Sequence, residues 1–260
     1  MCGRYASSRK PEDLVEEFEV DRVTVAETLE PDYNVAPTKD VYAVFERVPR
    51  DAPKGSPAER RLATVRWGFI PSWAKEMSIG SRMINARVET LADKPAFKRA
   101  FSRRRCLLPA DGYFEWYPTE QVGKSGKPLR QPFFIRPADG GVLAMAGLYE
   151  IWRNQAIAEE QPGAFVWSAT VITTTAEDAV GRIHDRMPML VEADRYSAWL
   201  DASLTDPSHL SELLTPAAPG RLEAYPVSTQ VNDHRNNGAA LVDPLPPEEL
   251  PAGVDAEELR

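Results

Sequence analysis

Short stretches with strand character recur along the whole chain, and turn-forming residues separate them. The 260 residues include 23 prolines and 15 glycines, which end regular elements and favour tight connections. Apolar, β-branched and aromatic residues concentrate between these turns, at 41–48, 61–67, 106–117, 132–152, 165–176, 186–192 and 222–232. Because no repeat or linker divides the series, it predicts a single α+β domain dominated by curved antiparallel β-sheets, barrel-like in form.

A few peripheral helices complete the expected fold. Amphipathic patterns predict them at 10–20, 94–105, 192–202 and 208–215. Within 132–152, Asp139-Gly140-Gly141 lies between two apolar runs and predicts a β-hairpin. We expect the domain to cover residues 1–240 and an acidic, Pro/Glu-rich tail to follow at 241–260, loosely held.

Charge is distributed unevenly along the chain. The formal net charge is -8, yet residues 60–105 contain 12 basic and three acidic residues. The stretch from 242 to the end contains six acidic residues and a single arginine. Local potential, rather than the total, governs the approach of a charged partner. The acidic total therefore does not exclude nucleic acid, although a solvated face of mixed sign accounts for the same counts.

Neither a membrane partner nor a metal is expected. No apolar run approaches the roughly 18 residues that span a bilayer, and the first residues lack a signal peptide's apolar core. The chain has two cysteines and three histidines, none in a metal-ligand spacing. We expect chemistry without metal or cofactor, in a monomeric, cytoplasmic, bacterial protein.

Cys2 is the most informative candidate for chemistry. Initiator methionine is generally removed before a small residue, which would leave Cys2 at the amino terminus. Its α-amine and thiol, with ordinary pKa values of about 8 and 8.5, could then condense with an aldehyde to an imine and close a thiazolidine ring. The same nucleophile could attack an acyl carbon. The alternative is that Cys2 is simply the second residue of a frayed chain end and has no chemical role. Cys106, within an apolar stretch, reads as a core cysteine.

Six motifs occur in order along residues 1–240: MCGRY at 1, YNVAPT at 33, WGFIPSWA at 67, MINARVET at 83, LLPADGYFEWY at 107 and IHDRMPMLV at 183. Together they resemble the SRAP (SOS response-associated peptidase) family of abasic site processing proteins. The resemblance implies a protein that senses abasic sites in single-stranded DNA, including those at junctions with duplex, and crosslinks to them covalently through Cys2. It also implies a peptidase-like removal of Met1, a weak lyase activity, and association with the nucleoid when crosslinked.

The resemblance assigns roles residue by residue. Cys2 matches the crosslinking cysteine, and the family's active-site trio falls on Asn85, Glu115 and His184. Arg87 and Arg186 match DNA-phosphate contacts. The residues expected to line the same channel are Asn34, Pro37 and Thr38.

Residue chemistry agrees with these roles without requiring them. Opening an abasic sugar to its aldehyde calls for an acid and a base, which Glu115 and His184 can supply. Flanked by Phe114 and Trp116, Glu115 should have a pKa raised by desolvation. Asn85 could hold the opened sugar or a developing oxyanion. An outward-facing glutamate, a surface histidine and an asparagine in a turn are the plain alternatives.

DNA capture requires phosphate anchors and stacking platforms. Arg4, together with Arg87 and Arg186, is a suitable phosphate ligand. Trp67 and Trp73 in WGFIPSWA are candidates for stacking on unpaired bases, although such aromatics also serve as core.

Two other function classes remain open at this point. An N-terminal cysteine hydrolase resembling a glutamine amidotransferase also begins with a nucleophilic cysteine, but the glutamine-pocket motifs of that class are not recognisable here. A non-covalent single-stranded DNA-binding module, in which Cys2 is incidental, is the other. Glutaminase activity would favour the first, and equal affinity for intact and abasic strands without an adduct would favour the second.

Overall fold

The structure is a computed structural model, and it describes residues 2–49, 51–123, 126–214, 216, 218 and 220–254. This part of the chain contains thirteen strands and five α-helices, together with short 3-10 turns. The strands are β1 (Tyr5–Ser7), β2 (Arg22–Val23), β3 (Asp32–Val35), β4 (Asp40–Arg47), β5 (Glu59–Trp67), β6 (Asn85–Arg87), β7 (Arg105–Ala110), β8 (Gly112–Val122), β9 (Pro128–Pro137), β10 (Leu143–Arg153), β11 (Phe165–Thr175), β12 (Arg186–Pro188) and β13 (Leu222–Pro226). The helices are α1 (Pro11–Glu17), α2 (Lys98–Arg103), α3 (Asp178–Ile183), α4 (Tyr196–Leu200) and α5 (Pro207–Glu212).

Five strands close into a barrel in the order β11-β10-β7-β4-β5. Four of the five pairings are antiparallel. The fifth is the parallel pairing of β5 with β11, in which Trp67 lies opposite Ala169, and it completes the ring. Closure leaves no free edge among these strands. The α+β, barrel-like class predicted from the strand pattern is confirmed.

A second, five-stranded sheet packs on the barrel in the order β13-β9-β8-β1-β3. One face of this sheet shares an apolar cluster with the barrel interior, with Tyr5 and Tyr113 on the sheet side and Trp67 and Cys106 on the barrel side. The opposite face holds a separate small cluster that includes Ala6 and Phe134. The alternation of side chains along β1, β8 and β9 therefore decides which residues lie between the two β-structures.

Helices α1, α2, α4 and α5 cover the outside of the barrel, whereas α3 packs against β8 and β13 of the sheet. Leu14 of α1, Phe101 of α2 and Trp199 of α4 belong to one apolar cluster with outward-facing barrel residues. Arg105, at the start of β7, is 2% exposed, and its guanidinium donates to backbone carbonyls at the ends of α2 and α4. This arginine satisfies carbonyls that a helix end leaves without partners, so its charge is used inside the fold.

The predicted β-hairpin at 132–152 is wrong. The first of its two strands, β9, pairs with β8 and β13, whereas β10 pairs with β7 and β11. The turn itself forms as its chemistry demands, since Gly140 has φ 73° and the Gly141 N–H donates to the Asp139 carboxylate. Both strands are apolar, and an apolar strand does not specify its partner, so the turn carries the chain from the sheet to the barrel.

The start of the predicted acidic tail is attached to the sheet. The Tyr225 hydroxyl donates to the Val242 carbonyl at 2.9 Å, and Val227 bridges to Pro244. Leu241 is buried. The expectation of a loosely held segment from 241 onward is therefore wrong for these residues, because they cover apolar surface beside β13. Residues 255–260 lie outside the described part. No helix among the described residues is long and apolar enough to cross a membrane.

Candidate active site between the sheet and the barrel

Cys2 lies at the junction of the two β-structures. Its side chain is fully buried in the cluster shared by sheet and barrel. The Asn85 side-chain amide donates to the Cys2 carbonyl at 2.7 Å, which ties the first residues to β6. Burial raises the pKa of the Cys2 thiol, and the nearby Glu115 carboxylate raises it further. The resting thiol is therefore protonated near neutral pH.

Glu115 is a carboxyl group with almost no contact with solvent. It lies on β8 and is 2% exposed. Burial raises the pKa of Glu115 from 4.5 to about 7, because the charged form loses its hydration. Near pH 7 the carboxyl is consequently divided between its acid and base forms, as a group that both gives and takes protons requires.

His184 follows α3 and approaches Glu115 from the side of the barrel. Its Nε2 is 3.8 Å from a Glu115 carboxylate oxygen. Its Nδ1 accepts the Arg186 backbone N–H at 3.0 Å and is also 3.0 Å from the exposed Asp185 carboxylate. Burial lowers the pKa of His184, so we assign the neutral ring with the proton on Nε2, facing Glu115. The pKa of Glu115 is raised and that of its neighbour His184 is lowered, so the two groups can act together as an acid–base pair.

Arg186 reaches the same region but already has partners. It is 9% exposed, and its guanidinium makes two hydrogen bonds to the Glu89 carboxylate, at 2.6 and 3.1 Å. It also donates to the Thr173 carbonyl at 2.6 Å. Hydrogen bonding to Arg186 lowers the pKa of Glu89. A phosphate at Arg186 would have to share this guanidinium with Glu89, whereas Arg87, on β6, is exposed.

Arg4, which is partly exposed, and Asn34, which is buried, are joined by hydrogen bonds within the fold. The Arg4 guanidinium donates to the Asn34 side-chain oxygen at 2.7 Å and to the Val231 carbonyl at 2.9 Å. Asn34 is fully buried, and its amide nitrogen donates to the carbonyls of Val231, Asp233 and Asn236. Asn34 therefore holds the segment after β13 in place, and without exposed surface it cannot touch a DNA strand in this conformation.

Thr38 holds an unusual backbone conformation beside Pro37. Its φ of 76° lies in the left-handed region that β-branched residues rarely adopt. The Thr38 N–H donates to the Trp67 carbonyl at 2.8 Å, which secures the conformation. Both Pro37 and Thr38 are partly exposed. Strain of this kind often accompanies functional loops, which is compatible with the channel expected here.

The two expected stacking tryptophans differ completely in exposure. Trp67 is fully buried, donates from its indole N–H to the Ile84 carbonyl, and packs edge-on against Tyr5 at 4.9 Å between ring centroids. Stacking of Trp67 on a base is ruled out in this conformation, because its ring has no free face. Trp73 is 63% exposed on a loop that Trp152 anchors through the Ala74 carbonyl. Of the two, only Trp73 offers a stacking surface.

Sequence reasoning missed two tyrosines at this site. Tyr5 and Tyr113 face each other across the β1–β8 pairing, and both are fully buried beside Cys2. The period of two along a strand places Tyr113 on the same face as Glu115, so this neighbour could have been identified. The pairing with Tyr5 could not, because it depends on a register between residues about a hundred positions apart.

A cavity of about 720 Å³ elsewhere on the sheet does not compete for this role. It is lined by Ala6, Phe134 and Tyr225 among others, which belong to the face of the sheet turned away from Cys2. The cations on its walls, Arg9 and Arg136, are paired with carboxylates. The described lining residues include no cysteine, no histidine and no buried carboxyl group, and the one buried hydroxyl among them, that of Tyr225, is bonded to the Val242 carbonyl.

Replacing Glu115 by glutamine should change how stability depends on pH. The folded state binds the Glu115 proton more tightly than the unfolded state, since the pKa rises from 4.5 to about 7. Stability contributed by this group is therefore present below about pH 4.5 and lost as pH rises through 7. Relative to Glu115→Gln, the wild-type free energy of unfolding should fall by about 3 kcal/mol between the two ends of this range.

Urea unfolding of both proteins at several pH values measures this difference. Glu120→Gln, at an exposed position of the same strand, is the matched control and should parallel the wild type. Parallel curves for wild type and Glu115→Gln would contradict the buried, proton-holding carboxyl.

Comparison with known proteins gives one consistent result. The family model described as SOS response associated peptidase (SRAP) matches residues 1–234. Abasic site processing protein YoaM of Bacillus subtilis is 37% identical over 243 residues, covering 94% of this chain and 98% of YoaM. Abasic site processing protein YoqW of the same organism is 36% identical over 243 residues, with 94% and 99% covered. A crystal structure of a protein from Bacteroides thetaiotaomicron, 22% identical, superimposes with a TM-score of 0.76 over 94% of this chain and 100% of that one, which shows a shared fold.

Proposed function

The chain belongs to the SOS response associated peptidase (SRAP) family, and from that premise we propose that it processes abasic sites in DNA by forming a covalent crosslink through Cys2. The observation that carries the proposal is the convergence on Cys2 of a buried carboxyl with a pKa of about 7 and a neutral histidine beside it. Relatives that match nearly the full length of the chain are named abasic site processing proteins, which supports this substrate.

The first step would open the sugar and form an imine. Removal of Met1 frees the Cys2 α-amine, by a general aminopeptidase or by the chain's own peptidase activity. The protonated Glu115 carboxyl donates to the sugar ring oxygen as the bond from that oxygen to C1′ breaks, the C1′ hydroxyl gives its proton to His184, and the C1′ aldehyde forms. The amine then attacks C1′, and water leaves as a protonated C=N bond forms, with the proton supplied by His184. Neutral His184, 3.8 Å from Glu115, can take up or return protons during these transfers.

The second step would close the ring. The Cys2 sulfur bonds to C1′, the π electrons of the protonated C=N bond become a nitrogen lone pair, and the thiol proton passes to the Glu115 carboxylate. Asn85 is well placed to hold the opened sugar, because its amide nitrogen is committed to the Cys2 carbonyl while its side-chain oxygen is buried without a partner among the described residues. The imine intermediate also allows β-elimination, so a weak lyase activity accompanies the reaction.

Single-stranded DNA is the proposed partner, because a base must be absent and the sugar unstacked for C1′ to reach Cys2. Trp73, the exposed tryptophan, would stack on a neighbouring base. Arg87 would bind a phosphate directly, and Arg186 by releasing part of its contact with Glu89. Asn34 and Trp67 would support this surface from beneath. We propose that the protein acts as a monomer in the cytoplasm.

Incubation with three oligonucleotides tests the proposal. A single strand with one abasic site should give an adduct that survives SDS, whereas an intact strand and an abasic site within duplex should give little. Glutamine hydrolysis without an adduct would instead favour an amidotransferase-like enzyme. Equal, reversible binding of intact and abasic strands would favour a non-covalent binding module.

The basic face of α2 is the proposed surface for the initial encounter. Lys98, Arg99 and Arg103 line a cleft of about 610 Å³ together with Pro95 and Ser102. The three cations are exposed, and no ion pair to a carboxylate involves them within the described ranges. By contrast, Arg60 and Arg105 from the same basic stretch are buried and used inside the fold.

Charge reversal on this face should weaken non-covalent binding in a salt-dependent way. The logarithm of the binding constant falls linearly with the logarithm of the salt concentration. If Arg99 contacts one phosphate, Arg99→Glu should make this negative slope shallower by about 1. Fluorescence anisotropy with an intact single strand, measured across a range of salt concentrations, provides the slope. Lys54→Glu, an identical charge change at an exposed loop position, is the control. Equal slopes for the two variants would remove α2 from the DNA-binding surface.

A further inference from the structure

Among the described residues, two buried tyrosine hydroxyls close to Cys2 have no hydrogen-bond partner. Tyr5 on β1 and Tyr113 on β8 are directly paired across the sheet, and each is 0% exposed. Neither hydroxyl oxygen makes a hydrogen bond within the described part of the chain. Buried polar groups are nearly always satisfied, so an orphaned pair on one face requires an explanation.

Structural packing alone does not explain the hydroxyls. The aromatic rings fill space in the cluster shared with Trp67 and Cys106, and phenylalanine would fill the same space. A buried hydroxyl without a partner lowers stability relative to that apolar equivalent. A group that is retained at a cost to stability beside a nucleophile is typical of an active site.

Both hydroxyls lie within electrostatic range of the Cys2 sulfur. Burial raises the pKa of Tyr5 and of Tyr113, and a charge on Cys2 raises each further. Both phenols therefore remain protonated at physiological pH and can only donate to an anion formed on Cys2. In the resting state the backbone N–H of Arg4 faces the sulfur, which leaves the two phenols available for a later, more negative state.

We propose that the hydroxyls of Tyr5 and Tyr113 donate hydrogen bonds to the Cys2 sulfur as it closes the thiazolidine ring. This inference rests on the proposed crosslinking function. During closure the S–H proton moves to the Glu115 carboxylate, the S–C1′ bond forms, and the π electrons of the protonated C=N bond become a nitrogen lone pair. Negative charge develops on a sulfur that is buried away from water. Donors already fixed at that position stabilise it without the reorganisation that water would need.

The two chemical steps should differ in their dependence on the two tyrosine hydroxyls. Imine formation uses the α-amine and does not involve the sulfur, so it should not depend on the phenols. Ring closure uses the sulfur and should depend on both. Loss of a hydrogen bond to a charged group corresponds to a rate decrease of about tenfold or more.

Tyr5→Phe, Tyr113→Phe and the double variant test this separation. Borohydride trapping of the abasic oligonucleotide measures the imine, and the SDS-resistant adduct formed without borohydride measures closure. We expect trapping at the wild-type rate. Ring closure should be slowed about tenfold in each single variant and further in the double variant. The pH profile of the closure rate should also shift to higher pH, because the Cys2 thiolate is less stabilised without the phenol donors. Denaturant unfolding should find the variants at least as stable as the wild type.

Tyr225→Phe is the matched control, since it removes a buried hydroxyl that bonds to the Val242 carbonyl on the far side of the sheet. It should leave both steps unchanged. Closure at the wild-type rate and with the wild-type pH profile in the double variant would overturn the inference, as would equal slowing of trapping and closure, which a structural role predicts. If the wild type itself gives neither imine nor adduct, the proposed function fails instead.

Discussion

Replacing Cys2 by alanine is expected to abolish the covalent adduct with abasic single-stranded DNA. Alanine retains an α-amine after Met1 removal, so an imine can still form, but without sulfur no ring can close. An imine is reversible and does not survive denaturation unless it is reduced. The yield of SDS-resistant adduct should therefore fall to background, while borohydride should still trap a product.

Two companion variants make this result specific. Cys2→Ser supplies a weaker nucleophile and should give at most a reversible imine. Cys106→Ala removes the other cysteine, which is buried in the barrel cluster, and should leave the adduct yield unchanged. An SDS-resistant adduct formed by Cys2→Ala at wild-type yield would show that another residue makes the bond.

Replacing Glu115 by glutamine should slow adduct formation by about 10²- to 10⁴-fold, the usual contribution of a general acid or base. Glutamine has nearly the same shape but cannot transfer a proton. In the wild type, the acid form of Glu115 is lost as pH rises through about 7, so the rate of imine formation should decline above this pH. This decline should be absent in Glu115→Gln.

Initial rates across pH, with a saturating abasic oligonucleotide, provide the comparison. Glu120→Gln on the same strand again serves as control, because its side chain is exposed. A Glu115→Gln rate within a few-fold of wild type, with the same pH profile, would remove Glu115 from the chemistry.

The overall class of the fold could be predicted because it depends on local patterns. Strands such as β5, which alternates between buried and less buried side chains, show their period in the sequence. Partner choice is not local: β9 and β10 are joined by a well-formed turn yet lie in different sheets. The apolar sequences of β9 and β10 do not indicate that β9 pairs with β8 and β13 and that β10 pairs with β7 and β11.

The pKa of Glu115 is raised as predicted, but the burial that raises it has a different source from the one expected. Its raised pKa was predicted from the adjacent Phe114 and Trp116, and the direction is confirmed. However, strand alternation places Phe114 and Trp116 on the opposite face, in the small outer cluster. The desolvation comes from the barrel that packs on the inner face, which becomes visible only once the two β-structures are assembled.

Long-range contacts explain what else the sequence did not reveal. The Asn85 amide meets the Cys2 carbonyl across 83 positions, and Arg186 meets Glu89 across 97. The second contact follows from β6 and β12, which both pair with β11 although they are distant in sequence. The first depends on how the sheet that contains β1 packs against the barrel. Motifs identified the residue types, whereas tertiary structure decided that Arg186 is partnered and that Trp67 is buried.

The central claim is a stable covalent bond between Cys2 and the abasic sugar, and intact mass spectrometry tests it most directly. After incubation with an abasic single strand, we expect a species with the mass of the Met1-free chain plus the oligonucleotide minus one water, formed without borohydride. Peptide mapping should place the modification on Cys2. Unchanged masses of the separate protein and oligonucleotide, or a modification mapped to another residue, would contradict it.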